Sequence, residues 1–373
     1  MSQGLYATLL ALLLAAPSNA QTAQPEPAPQ PGKEADSERS GNFLPLPIFV
    51  SEPAIGEGLG AALIYFHLQD QQDEHKAATA RDLSKLGERS KPPPTATGVF
   101  GFYTNNDTAA IGLGHANSFA DDRFRLRAAA AEARINSTFY IGDRGVDFRM
   151  EGSALFSDLK TRIGDSRAFI GLSASYVDAN NVFREELQEI DGIELDDFGF
   201  VDAGLALSLI YDTRDNTILP ARGYLVEAIG WRYGGDFDYD SARLKGLWFG
   251  EIAEKTVLGL RLDVGNASGD VPFFGAPYVR LRGIPALRYQ GEVAGAFETE
   301  LRYRLADRWS ASVFGGVGSV KVGDRQTETR DEIRTIGIGG RYLALREQDA
   351  WVGIDIARGP EDLAWYIQLG SSW

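Results

Sequence analysis

The stretch GEVAGAFETELRYRL, Gly291–Leu305, decides the fold. In an extended chain, Val293, Gly295, Phe297, Thr299, Leu301, Tyr303 and Leu305 fall on one face, and Glu292, Ala294, Ala296, Glu298, Glu300, Arg302 and Arg304 on the other. Strand side chains point to opposite sides in turn, so this segment is apolar on one face and small or charged on the other. The pattern recurs along the chain. Leu258, Leu260, Leu262 and Val264 face away from Arg261 and Asp263. Val201, Ala203, Leu205, Leu207, Leu209 and Tyr211 oppose Asp202, and Trp309, Ala311, Val313 and Val317 oppose Ser310, Ser312 and Gly316. Soluble sandwiches also alternate. Strands of roughly 10–14 residues, with charges of both signs on the inner face, suit a tilted membrane strand between lipid and a wet lumen.

Working outward, the periodicity predicts an all-β transmembrane antiparallel barrel of about sixteen strands over 43–373. They are placed at 43–51, 57–69, 95–105, 107–118, 122–134, 146–158, 165–179, 198–212, 222–235, 239–253, 256–268, 291–306, 308–320, 331–346, 349–358 and 363–373. An even number returns both ends to the periplasmic side. Segments 180–197, 269–290 and 321–331 then become outer loops, and 213–221 an inner turn. Residues 70–94 become a long periplasmic connection with a short helix at Glu74–Leu86, or an outer loop if the first hairpin is misplaced.

The rest of the sequence agrees. Leu5–Ala16 is an apolar run of signal-peptide length, Pro17 breaks it, and Ser18-Asn19-Ala20 offers small residues for cleavage after Ala20. Residues 1–20 therefore read as a signal peptide, despite an amino-terminal region without Lys or Arg, and the Pro-rich, charged 21–42 as a disordered tether. No later apolar run is long enough for a membrane helix. With no Cys, disulfides, thiolate metal sites and cysteine nucleophiles are excluded. A net charge of −15 argues against a nucleic-acid partner, which requires clustered cations.

Two motifs carry a resemblance. Leu281-Arg282-Gly283-Ile284 lies in the Pro- and aromatic-rich segment before the deciding strand, and "YDTRDNTILPARGYLVE" spans Tyr211–Glu227. Together with the short hairpin that begins at Phe43, they resemble the BamA/TamA superfamily of bacterial surface antigen barrels, over about Phe43–Trp373. The resemblance implies that Arg282 tips a sixth outer loop folded into the lumen, latched by an inward acid of the twelfth strand, here Glu300. It matches Asp212, Arg214, Asp215, Asn216, Pro220 and Gly223 to the family's turn motif. It also implies a second acid in a Phe-x-Asp-x-Gly motif on the thirteenth strand. This chain departs there, with Phe314, Gly316 and Gly318, and Gly316 stands where Asp is expected. The final strand, with Trp365, Ile367, Leu369 and Trp373 on one face, resembles an outer-membrane targeting signal. Tyr211, Trp309, Trp365 and Trp373 read as a lipid-facing aromatic girdle.

The family's periplasmic POTRA domains find no counterpart in 21–42, so the resemblance implies a barrel without them, served by a separate periplasmic protein or doing a different job. The expectation is a Gram-negative outer-membrane barrel, in contact with outer-membrane lipid and lipopolysaccharide, that assists insertion or transport of protein or lipid. Pro45 and Pro47 in the first strand, which cannot donate to a ladder, point to a weak seam with the last. The alternative is a passive plugged pore or scaffold. A surface hydrolase built on His115, Asn117 and Ser118 is a third reading, but no Gly-x-Ser-x-Gly element accompanies it. His67 and His75 flank an acidic run without metal-ligand spacing, so no metal and no cofactor are expected.

Overall fold

The computed structural model describes residues 42–67, 95–141, 144–183, 189–190, 193–194, 197–216, 219–322, 330–345 and 350–373. Sixteen antiparallel strands form one sheet in simple up-and-down order. They are β1 (Asn42–Glu52), β2 (Gly56–Phe66), β3 (Ala96–Thr104), β4 (Ala109–Phe119), β5 (Phe124–Ile141), β6 (Arg144–Arg162), β7 (Ala168–Phe183) and β8 (Phe198–Asp212). The second half continues with β9 (Gly223–Gly235), β10 (Tyr239–Ala253), β11 (Thr256–Gly269), β12 (Val293–Ala306), β13 (Trp309–Lys321), β14 (Arg330–Leu345), β15 (Ala350–Arg358) and β16 (Leu363–Leu369). The expected signal peptide, most of the tether and the helix at 74–86 lie outside the described residues. Asn42, assigned to the tether, is the first residue of β1.

The sheet is inside-out relative to a soluble protein. Leu205, Leu207 and Leu209 of β8 are 63%, 64% and 58% exposed, whereas Asp202 and Ser208 of the same strand are buried. Lipid is the environment in which such an apolar outer face is stable, and the sheet curls until its two edges, β1 and β16, meet through side-chain bonds. β5, β6 and β7 run longer than the periodicity predicts, to Ile141, Arg162 and Phe183. The added residues of β5 and β7 carry Phe139 and Phe183, which pack with Phe148 of β6 under Phe273 and Phe274 of the 270–292 loop. The interior is thus filled from one end by that loop, which positions the site.

The last strand ends earlier than expected. Gly370 has φ +76°, and its N–H donates to Trp351 O, so the chain turns at Gly370 instead of continuing to 373. Trp373 swings into the lumen beside Phe249. It does not share the lipid face with Trp365, which is 39% exposed, as are Tyr211 and Trp309 more fully. Ile367 stays half-buried on β16.

Candidate functional site: an ion-pair latch in the lumen

The sixth loop descends as a narrow two-armed finger. Tyr278 pairs with Gln290, Val279 N–H donates to Tyr289 O, and Ile284 N–H to Leu281 O closes the tip. The tip is Leu281-Arg282-Gly283-Ile284, as the motif predicts. Gly283 has φ +92°, where a side chain is strained, and a Cβ there would lie 3.1 Å from Gly359 N. Its N–H donates to Tyr366 Oη of β16 at 2.9 Å.

Arg282 is 7% exposed. Its Nε donates to Glu298 Oε1 at 2.7 Å, and Nη1 donates to Glu300 Oε2 at 2.8 Å, Asp355 Oδ2 at 2.9 Å and Ser372 Oγ at 2.8 Å. Nη2 also pairs with Glu298. The guanidinium lies over the Phe314 ring, 3.4 Å from its centroid, with Trp373 on another side at 5.7 Å. Trp373 Nε1 in turn donates to Glu298 Oε1 at 2.8 Å. Arg341 of β14 closes the cluster through Asp355, Gly370 O and Ser372. Three cations (Arg282, Arg302, Arg341) thus face three carboxylates (Glu298, Glu300, Asp355). Fork-shaped donors fit such carboxylates, and the pairs are shielded from bulk water.

Glu300 therefore meets Arg282 as expected, but Glu298 does so with two bonds and Asp355 supplies the second strand's acid. The family motif places that acid on the thirteenth strand and so does not point to Asp355. The period of VGIDIA in β15 points Asp355 inward between outward Ile354 and Ile356. Gly316 and Gly318 serve the same finger by leaving space. A Cβ on Gly316 would lie 2.6 Å from Leu281 Cδ2, and one on Gly318 2.3 Å from Val279 Cγ1. Apolar loop side chains occupy the volume an aspartate would need.

The turn motif is tied together mainly by its own side chains. Asp212 holds Arg214 through two side-chain bonds, at 2.9 and 2.8 Å. Asp215 Oδ1 accepts from Ala221 N and Arg222 N, and Asn216 Oδ1 from Leu219 N. Gly223, at φ +98°, crosses Thr213 O closely. Pro220 O accepts from Arg302, which also reaches Glu300 at 3.9 Å, so the turn abuts the latch network from below.

The finger is anchored around its rim as well. Arg288 Nε donates to Glu361 at 3.0 Å, Tyr289 Oη bonds the same carboxylate, and Ala286 N–H reaches Glu52 Oε1 at 3.4 Å. Burial and the Glu361 bond push the Tyr289 hydroxyl up to about 12. The hydrolase reading fails on geometry. His115 bonds Thr97 on the outer face, while Ser118, three residues on, points into the lumen and bonds Asp122. His75 lies outside the described residues.

With the latch in view, the comparisons are informative. No family model matches the sequence, and no curated protein does. Among solved structures, the chain is similar to BamA from Haemophilus ducreyi lacking POTRA domains 1–3, with 12% identity and a TM-score of 0.59, over 89% of this chain and 70% of that one. This chain has the fold of a BamA-type barrel. It is also similar to CdiB from Acinetobacter baumannii (9% identity, TM-score 0.56, 88% of this chain and 59% of that one). CdiB from Escherichia coli gives 12%, 0.55, 89% and 63%. The chain thus spans about six-tenths of the length of the two CdiB chains. At these identities the likeness is one of fold.

Proposed function

We propose that this barrel assists insertion or transport of protein or lipid at the outer membrane, working at the seam between β1 and β16. One observation carries the reading. Glu57 O and His67 N of β2 bond to the β3 side, so even-numbered residues of β2 face β1. With Leu46 opposite Ala62 and Ile48 opposite Gly60, the even residues of β1 complete that ladder, and the odd ones face the seam. Pro45 and Pro47 are odd. Two donors that would have paired with β16 are therefore missing, and no β1–β16 ladder forms. Side chains bridge the gap instead: Ile367 N–H donates to Ser51 Oγ at 3.2 Å, and Trp365 Nε1 to Glu57. Such an edge can part, or accept a client strand by β-augmentation.

The test is to lock the seam through Ser51→Cys and Ile367→Cys, in a chain with no other cysteine. Oxidation should abolish the barrel's contribution to envelope integrity or client assembly in cells, and reduction should restore it. Full function in the oxidised form refutes the reading. The latch favours a second reading, a plugged pore, because the finger fills the lumen. Under that reading, Arg282→Ala raises conductance in planar bilayers and leaves client assembly unchanged. Signal cleavage near Ala20 and a separate periplasmic partner belong to the proposal, and crosslinking in cells tests the partner.

A further inference from the structure

Away from the latch, the lumen wall of β9–β11 has a different charge balance. Arg243 and Lys245 of β10, Arg261 of β11 and Arg280 of the finger stand with two carboxylates, Glu227 and Asp263. The chain as a whole carries −15 and the latch pairs three with three, yet these six groups carry two more positive charges than negative; Arg261 is also in register with Glu298, which is committed to Arg282. Asp263 is already spent. It accepts from Arg243 Nε at 2.9 Å and Arg261 Nη2 at 3.0 Å, and pairs again with Arg243 Nη2. Lys245 sits in register between Glu227 and Asp263, with no hydrogen bond or ion pair among the described residues. Arg280 is stacked 4.7 Å over Tyr278 and reaches no carboxylate within ion-pair distance among the described residues. The Nε atoms of Arg261 and Arg280 are both buried and without acceptors. Buried charged donors are costly when unpaired, and a built arrangement of them is suited to an anion.

We propose that Lys245, Arg261 and Arg280, set around the Arg243–Asp263 pair, form a lumenal binding site for a phosphate-class oxyanion beneath the sixth loop. The match is chemical. That excess of two equals one phosphate dianion, and the unpaired, solvent-shielded Nε edges of Arg261 and Arg280 with a lysine ammonium suit tetrahedral oxygens. A single peptide carboxylate supplies one charge and leaves one cation unmatched. The site stands whether or not the seam opens. Its phosphate has two sources, free phosphate or a lipid headgroup.

The experiment uses the full purified barrel in a phosphate-free, zwitterion-free detergent, with calorimetric titration and thermal unfolding as readouts. One arm adds inorganic phosphate, a second adds short-chain phosphatidic acid, and a third an acidic peptide. Saturable binding in the first arm assigns a free anion, and binding in the second arm alone assigns a lipid phosphate. In either case, Lys245→Ala and Arg280→Gln should each weaken it about tenfold or more, roughly 1.4 kcal/mol. Because Arg280→Gln could disturb the finger, Lys245→Ala, on a strand, serves as the folding-safe variant, with the heat-modifiable gel shift as control. No saturable binding of either phosphate probe up to roughly 10 mM, binding unchanged in both variants, or binding of the peptide alone overturns the proposal.

Discussion

Replacing Arg282 with methionine removes one cation from a balanced set and leaves Glu298, Glu300 and Asp355 facing only Arg302 and Arg341. Glu298 and Asp355 have no exposed surface, so neither carboxylate gains bulk water when its partner goes. Four side-chain partners are lost at once, on Glu298, Glu300, Asp355 and Ser372. Their separate contributions are not additive. Breaking a buried ion pair costs about 3–5 kcal/mol, and loss of stacking on Phe314 adds about 0.5–2 kcal/mol. Water entering the vacated space offsets part of this, giving an expected loss of about 3 kcal/mol. Restoring neutrality should recover much of it. Arg282→Met with Glu298→Gln leaves two cations facing two carboxylates, and we expect at least half of the lost stability back. Urea unfolding in thin-bilayer vesicles, followed by tryptophan fluorescence, gives the three values needed for a double-mutant cycle. A single-variant loss under about 1 kcal/mol, or strict additivity of the two substitutions, would refute the latch energetics.

Gly316→Asp supplies the acid that the family motif expects, yet here it forces a side chain into the volume of Leu281. It should destabilise by about 1–3 kcal/mol and increase protease cleavage of the finger; a stabilised barrel would contradict the packing argument. Acid should act through Asp122, in the turn between β4 and β5. Burial would raise its carboxyl, but Arg125, Ser118 and Arg162 outweigh that and hold it below the usual range. Its contribution is therefore present above the unfolded value of about 3.9 and lost as pH falls through the lower folded value. Stability measured from pH 6 to pH 2 should show a shallower acid-side loss in Asp122→Asn than in the parent.

The fold was legible because a membrane barrel writes its period into every strand. The period-2 reading at Gly291–Leu305 and at Val201–Tyr211 gave the face of each side chain directly. Boundaries slipped where another element sets the length. β5 and β7 extend where Phe139 and Phe183 meet Phe273 of the loop, a contact between segments far apart in sequence. The tip arginine and Glu300 could be named from the motif. Asp355, Arg341 and Trp373 could not, because Arg282 reaches them through tertiary closure across β14–β16. An aromatic at position 373 reads equally well as lipid-facing or lumenal until the turn at Gly370 is seen.

The finger also touches both lips of the one unsewn line in the wall. Ala286 holds the β1 lip through one 3.4 Å hydrogen bond to Glu52 and by packing against the cluster of Ile48 and Val50. Gly283, Arg282 and Arg288 grip the β16 side through Tyr366, Ser372 and Glu361. The two grips are unequal. Any parting of the wall therefore leaves the finger berthed with β16 and sets β1 adrift, so the barrel has one fixed jamb and one swinging one.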